Sequence, residues 1–506
     1  MRRVAVIGAG PAGLVSAKSA LEYGLDPVIL ERSGSLGGVW NDEGGRRWRS
    51  MHANISRFSS PLIFSDFPWP DSAPLFPHWT DISAYLRAYA TSFDLLKRLR
   101  LNCTVSHVRR AGEKWEVTTR EADGASSSEI FDFVIVATGP QAVPAIPDFS
   151  GLDCFSGGVL HSSQYRDRDA FLGKRVVVVG MSFSGTEIAS DLAGHAKSVT
   201  QVIRRPYWIV PKDVRTEDGA SVPWDWLMQN RAMSMALGGA KGGRSGKDAN
   251  YAANLFFNSV SAVQDIGSPL HIDEARYADP PYMALSIHYD QLVKEGAIVV
   301  RRSEIESFGK DAVYLCDGAR IEADAVILGT GYQIGLPFLA AEMLTALDFR
   351  EGDGFSPILL YKRTFHPQLR NMALIGQLQL STFALSELQA RWASLVFAGQ
   401  MDLPPAEVML QSIEQERCLR EAAVRPQALY GDLVAAADAI AAEIGVMPPL
   451  DALRASDADL YQKLWNGPLL PFQYRLVGPG ANPVWARMRI LEAFEQMALI
   501  RAQSRS

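Results

Sequence analysis

The run VAVIGAGPAGLVSA, Val4 to Ala17, restricts the fold more than any other stretch of this 506-residue chain. An apolar strand leads directly into a tight turn and then a helix, with Gly8, Gly10 and Gly13 spaced G-x-G-x-x-G. The first glycine permits the turn, the second lets a pyrophosphate approach the backbone, and the third lets the helix pack on the strand. Ala9, Pro11 and Ala12 complete the phosphate-facing turn. The next strand, PVILER, ends in Glu31 and Arg32, and Glu31 lies 18 residues past Gly13, where a ribose hydroxyl needs a carboxylate acceptor. This pattern implies an FAD site.

A related pattern recurs at KRVVVVGMSFSGTEIASDLA, Lys174 to Ala193. Its following strand, SVTQVIRR, ends in Arg204 and Arg205 instead of an acid. Guanidinium groups at that place suit a 2′-phosphate and so favour NADPH over NADH, although basic residues also end solvated strands. Ser182 stands where the second glycine belongs. A β-carbon there should hinder the approach of the pyrophosphate, while the hydroxyl offers a hydrogen bond in exchange.

FDFVIVATG and ADAVILGTG, ending at Gly139 and Gly331, read as fully buried parallel strands that bracket the second pattern. The expected fold is α/β, with two Rossmann-like dinucleotide-binding domains and the NADP domain inserted into the FAD domain. Residues 1–160 form the first part of the FAD domain. Residues 161–330 form the NADP domain, with an insertion at about 213–284. Residues 331–506 return to the FAD domain and add a C-terminal helical extension.

Composition narrows the remaining classes. A net charge of −6 gives no support to nucleic-acid binding. Cys103, Cys154, Cys316 and Cys418 are scattered without C-x-x-C spacing, which argues against a metal site and fits a cytoplasmic protein. The missing cysteine pair also disfavours a disulfide reductase, leaving flavin reductases and flavin monooxygenases. The basic, apolar N-terminus imitates a secretion signal, but its glycines are spaced for a nucleotide turn. No run of 18 uncharged apolar residues predicts a membrane span.

FSGGVLHSSQY matches the fingerprint F-x-G-x-x-x-H-x-x-x-Y/F/W, with Phe155, Gly157, His161 and Tyr165 in register. On this the chain resembles the class B flavoprotein monooxygenases. Tyr165 in the last place resembles the flavin-containing monooxygenases, whereas Baeyer–Villiger members typically carry tryptophan there. LGGVW, HANISRF, FSDFPWP, FDLLK, LGTGY, ELQARW and PFQYRLVGPG extend the resemblance along nearly the whole chain, several of them resembling the animal branch.

Several roles follow from this resemblance. His161 and Tyr165 would belong to the linker between the two domains, with His161 coupling domain motion to coenzyme binding. Read from the residues alone, His161 is also open to satisfying backbone groups or to proton transfer. Asn54 matches the family asparagine beside flavin and nicotinamide and is the expected catalytic residue, able to donate and accept without adding a charge. Ala53 and Ile55 flank it, Val39 and Trp40 match a flavin-side turn, and Ser184, Gly185, Thr186 and Glu187 match the helix opening that holds NADP. Glu387 and Arg391, four apart on a helix, read as a structural ion pair.

The resemblance implies that NADPH reduces FAD and that oxygen then adds at the flavin C4a position to give a hydroperoxide. A soft nucleophilic nitrogen or sulfur centre of a small molecule would take the terminal oxygen, the cofactor carrying the difficult step. Baeyer–Villiger oxygenation of a ketone or aldehyde is the alternative chemistry, and an uncoupled NADPH-oxidising flavoprotein the alternative class. The insertion, with its glycine-rich GGAKGGRSGKDAN, is open to three readings: a substrate lid, an oligomer contact such as a homodimer's, or a packed helical hairpin.

Overall fold

Arg3–Ile7 is the middle strand of a five-stranded parallel sheet in the order 372–374, 133–136, 3–7, 26–30, 99–100. The computed structural model describes residues 1–41, 47–216, 218–236, 246–261, 267–377, 382–422 and 433–505. Val4 faces Pro27 on one side and Phe133 on the other. Strands covered on both faces need continuous apolar sequence, and Val4, Ala5 and Val6 are wholly buried. The chain leaves this strand in one direction to Asp26–Leu30 and returns on its other side at Phe133–Val136. A crevice therefore opens at the carboxyl end of Arg3–Ile7, where the strand order reverses.

The same reversal occurs in a second parallel sheet, ordered 298–302, 198–203, 175–179, 325–328, 158–161. All five of its strands lie in sequence between Phe133–Val136 and Met372–Leu374 of the first sheet. One Rossmann-like unit is thus inserted into the other, the α/β architecture expected from the two glycine motifs. Phe133–Val136 and Ala325–Leu328, the apolar strands of the two Thr-Gly segments, are buried at every residue, and each pairs with the central strand of its own sheet.

Between the second sheet's strands Ser198–Ile203 and Ile298–Arg302 the chain makes the helices Trp224–Met228, Arg231–Ala236 and Gly246–Val260. Trp224, Trp226 and Phe257 are buried. Trp226 packs edge-on against Phe58 of the first unit, ring centroids 5.8 Å apart. Residues 238–245 of the glycine-rich stretch lie outside the described residues.

After Met372–Leu374, the helix Phe383–Phe397 runs through the core with every residue buried except Val396. Its polar residues are therefore buried along with its apolar ones and need partners from packed neighbours, and Phe397 stacks on Phe133 at 4.3 Å. Further helices continue to Pro483–Gln503. Among the described residues no helix is long and apolar enough to cross a membrane.

Glu387 and Arg391 on the buried helix do not form the pair that their spacing suggests. Glu387 bonds Arg475 at 2.8 Å and accepts from the Ser65 N–H at 2.7 Å, while Arg391 donates to the carbonyls of Tyr474 and Pro479 at 3.0 and 2.8 Å. Inside a fully buried helix both side chains take partners from packed neighbours, and the solvated i,i+4 geometry does not apply.

Candidate active site

Each glycine turn has two positions at which a side chain has no room. Gly8 has φ +107°, and a β-carbon there would fall 2.6 Å from the Ala137 carbonyl oxygen. A β-carbon on Gly13 would fall 1.8 Å from the Gly8 carbonyl oxygen. In the second unit Gly180 has φ +96° and lies against Gly329, while a β-carbon on Gly185 would meet the Gly180 oxygen at 2.4 Å. Ser182 shares the backbone of Gly10, φ −74° and ψ −177°, so the serine sits there without strain.

The helices Pro11–Glu22 and Phe183–Leu192 begin alike. Neither has a side-chain cap or an acid in its first turn. Their first N–H groups are therefore left for an anion, and the helix dipole favours one. The bare backbone of Gly10 faces that of Gly38, whose β-carbon would approach Gly10 Cα to 3.0 Å. A cradle this close to the main chain fits a pyrophosphate, so the residues present fit a dinucleotide.

The first turn opens into a cavity of about 1540 Å³. Of the residues singled out from sequence, Gly8, Gly10, Pro11, Ala12, Glu31, Arg32, Val39, Trp40, Ala53, Asn54 and Ile55 line it from the first unit. Ser184 and Glu187 line it from the second. Ala9, Gly13, Gly185, Thr186, Arg204, Arg205, His161 and Tyr165 are not part of its wall. Gly13 and Gly185 pack under their turns, and Thr186 is fully buried, donating to the Met181 carbonyl at 3.0 Å. Arg204 and Arg205 are exposed, with the Arg205 guanidinium 3.8 Å from the Tyr282 ring centroid.

Glu31 is held before any ligand arrives. Its carboxylate accepts from the Ala9 N–H at 2.7 Å, and from the Ser33 N–H and hydroxyl at 2.9 and 2.6 Å. These bonds fix the carboxylate at the end of the strand while it still faces the cavity.

Asn54 lies on a loop with no regular structure, so tertiary bonds must hold it. Ala53 N–H donates to the Pro77 carbonyl at 2.8 Å, and Arg57 N–H to that of Leu75 at 2.8 Å. The insertion supplies the rest. Asp225 accepts from Ser56, and the Gln229 side-chain oxygen accepts from the Ser59 and Ser60 hydroxyls at 3.0 and 3.2 Å. The Asn54 side-chain N–H donates to the Glu187 carboxylate across the two units. Burial pushes the Glu187 carboxyl up to about 7, against the opposing pull of the Asn54 bond and of Lys212.

His161 is buried and fully engaged at the crossover. Its Nδ1 accepts from the Ser163 N–H at 3.1 Å, which leaves Nε2 to donate to the Gly331 carbonyl at 2.9 Å. Its ring meets Tyr332 edge-on at 5.0 Å. Tyr165 donates to Asp191 at 2.6 Å, and burial together with that carboxylate raises its hydroxyl pKa far above the usual value.

Sequence reasoning missed Asp225, Gln229 and the Glu187 side chain as supports of the Asn54 loop, because no local spacing signals bonds between residues more than a hundred positions apart. The insertion also closes the far wall of the cavity with Trp224, Met228, Met233, Phe257 and Met283, a mostly apolar surface.

A family model described as flavin-binding monooxygenase-like matches residues 1–505. Flavin-containing monooxygenase 5 of Cavia porcellus is 33% identical, the alignment covering 98% of this chain and 92% of that protein. Dimethylaniline monooxygenase (N-oxide-forming) 2 of Pan troglodytes is 32% identical over 98% of this chain and 94% of its own. Among solved structures, the S-allyl-L-cysteine S-oxygenase of Allium sativum shares the fold, with TM-score 0.64, 22% identity and coverage of 98% of this chain and 99% of that one. A cavity lined by the first glycine turn and by Ser184 and Glu187 of the second unit's helix agrees with a family match from end to end: this chain belongs to the flavin-binding monooxygenase-like family and is an FAD-dependent NADPH monooxygenase.

Proposed function

We propose that this monooxygenase oxygenates a soft, nucleophilic nitrogen or sulfur centre of a small, largely apolar molecule. The overall balance is substrate, O₂, NADPH and a proton giving oxygenated substrate, NADP⁺ and water. The observation that carries this reading is one continuous cavity running from the Gly8–Gly13 turn past Asn54 to the apolar wall of the insertion. Relatives named for N-oxide formation, and Tyr165 at the end of the fingerprint, support the same choice of chemistry.

FAD, once reduced by NADPH, supplies the activation of oxygen; the protein's task is to hold, orient and keep water out. Gly8 to Gly13 present bare backbone and helix N–H groups to the FAD pyrophosphate, and Glu31, with Arg32 beside it, takes the ribose end. Val39, Trp40, Ala53 and Ile55 bound the flavin. Asn54 is the catalytic residue, offering hydrogen bonds at the flavin edge. The free N–H groups at the start of the second helix, at Ser184 and Gly185, receive the NADPH phosphates, and Arg204 and Arg205 read the 2′-phosphate at the strand end. His161 and Tyr165 pin the crossover between the units, with His161 acting through the Gly331 carbonyl and not as an acid or base. The unpaired cysteines fit a reducing compartment, and we assign the protein to the cytoplasm.

The test is turnover with ¹⁸O₂ of a tertiary aromatic amine, an alkyl sulfide and a cyclic ketone. An N-oxide or sulfoxide carrying one labelled oxygen per NADPH consumed is expected. Lactone from the ketone alone would transfer the protein to Baeyer–Villiger chemistry, and hydrogen peroxide alone would make it an uncoupled oxidase. Asn54→Ala should divert reducing equivalents from product to hydrogen peroxide, and unchanged coupling would remove Asn54 from its role.

A further inference from the structure

We propose that Glu187 is a positioning residue for Asn54: its carboxylate takes one Nδ2 hydrogen and so fixes which edge of the Asn54 amide is presented to the cofactor cavity. This inference rests on the reading of Asn54 as the flavin-side residue.

The bond joins the two units at the place where both line the cavity. Asn54 comes from the irregular loop after the first unit's turn, and Glu187 from the first turns of the helix Phe183–Leu192. An asparagine amide has a donor edge and an acceptor edge that are nearly the same in shape. Nothing in its packing distinguishes them; only a partner with one kind of group can. An ionised carboxylate accepts and cannot donate, so it admits a single orientation, with Nδ2 toward Glu187. A protonated carboxyl carries one O–H and one acceptor oxygen, and then both orientations are satisfied.

The charged groups acting on Glu187 are Lys212, which favours the anion, and Asp191, one turn along the same helix, which opposes it. Asp191 is itself held by the Ser50 and Tyr165 hydroxyls at 2.8 and 2.6 Å. Lys212 sits with its ammonium 4.6 Å from the centre of the Phe76 ring, and burial pulls its pKa down. Burial brings Glu187 to about 7, so the orientation of Asn54 is enforced above neutrality and released below it. NADPH phosphates arriving at the N-terminus of that helix add negative charge close by, which favours protonation and so couples coenzyme occupancy to the same amide.

The experiment uses FAD-loaded protein without coenzyme and follows the visible band of oxidised flavin against pH, without turnover. The wild type should show one step centred near 7. Glu187→Gln, neutral and able to donate or accept at every pH, should lose the step and hold the band where the wild type has it in acid. Lys212→Met should keep the step and move it upward. A step that persists in Glu187→Gln, a wild-type band that does not move through neutrality, or a step that moves downward in Lys212→Met overturns the proposal. Should Glu187→Gln fail to retain FAD, the Lys212→Met shift decides alone. Asn54→Ala should abolish the step, and a step that survives there overturns the proposal. The underlying reading fails separately: an Asn54→Ala protein with both its flavin band and its peroxide release unchanged has no asparagine at the flavin.

Discussion

Ser56 gives both its backbone N–H and its hydroxyl to the carboxylate of Asp225, at 2.8 and 2.6 Å. The acceptor is 1% exposed and belongs to the helix Trp224–Met228 of the insertion, 169 residues from the serine. Two residues before Ser56 stands Asn54. The insertion is therefore a packed brace for the loop that carries the candidate catalytic residue, and the same helix contributes Trp224 and Met228 to the cavity wall. A lid that swings away would have to break this pair.

Replacing Asp225 by alanine strands two buried donors, at a cost of about 1–3 kcal/mol. Asp225→Ala should unfold at lower denaturant and, in the FAD-loaded state, release more hydrogen peroxide per NADPH. Asp225→Asn keeps an acceptor oxygen and should fall between the two. An Asp225→Ala protein as stable and as well coupled as the wild type would mean that the loop is held by Pro77, Leu75 and Gln229 alone.

The buried cluster around Glu387 gives a second stability test. Arg475 bonds Glu387 at 2.8 Å and Asp66 at 3.2 Å, and Lys18 completes the set from the helix Pro11–Glu22. Burial would raise the Glu387 carboxyl, but Arg475 and Arg391 outweigh it and hold it below the ordinary value. Arg475→Met should cost about 3–5 kcal/mol, since it leaves a carboxylate buried without its cation. Because the folded carboxyl binds its proton less readily than the unfolded one, the stability it lends is present above the unfolded value. That stability is lost as pH falls through the folded one. The acid limb of the stability curve should accordingly flatten in Arg475→Met.

Coenzyme binding can be tested at three positions that the sequence marked and the cavity does not include, Ser182, Arg204 and Arg205. Ser182 sits in the backbone conformation of Gly10, and its side chain caps nothing. If its β-carbon stands in the path of the pyrophosphate, Ser182→Gly should tighten NADP⁺ binding about fivefold, equal to about 1 kcal/mol. An equal or weaker affinity would show the hydroxyl to be a ligand. Arg205 is occupied by the Tyr282 ring, whereas among the described residues no ring lies against Arg204, so Arg204→Gln should lose more of the NADPH-over-NADH preference than Arg205→Gln. Retained preference in the double variant would move the 2′-phosphate elsewhere.

The sequence made the two nucleotide units legible because their evidence is local. Turn glycines, apolar strands and helix starts lie within about twenty residues of one another, and the same steric rule recurs at Gly13 and Gly185. Insertion of one sheet into the other followed from chain order. The Asn54 site was legible only as a matched motif, because its geometry depends on Asp225, Gln229 and Glu187, none of which is near it in sequence. Glu387 and Arg391 show the reverse error. Helical spacing suggested a pair, but a helix buried on all sides drew its partners from Ser65, Tyr474, Arg475 and Pro479.

Glu187 also carries a stability prediction independent of the flavin. Its carboxyl titrates at 4.5 when solvated and at about 7 when folded. A raised carboxyl means that the folded protein binds the proton more tightly, so this group's contribution is fully present below the solvated value. It is lost as pH rises through about 7. The difference corresponds to about 3 kcal/mol at full burial, and partial solvent access reduces it to about 1–2 kcal/mol. Glu187→Gln removes the charge and should therefore unfold at a higher temperature than the wild type at pH 8 or so, with the gap closing in acid. Equal midpoints at both pH values would mean that Glu187 is solvated enough to ionise without cost. In that case the carboxylate would bind Asn54 at every pH in the neutral range and the amide would never be released.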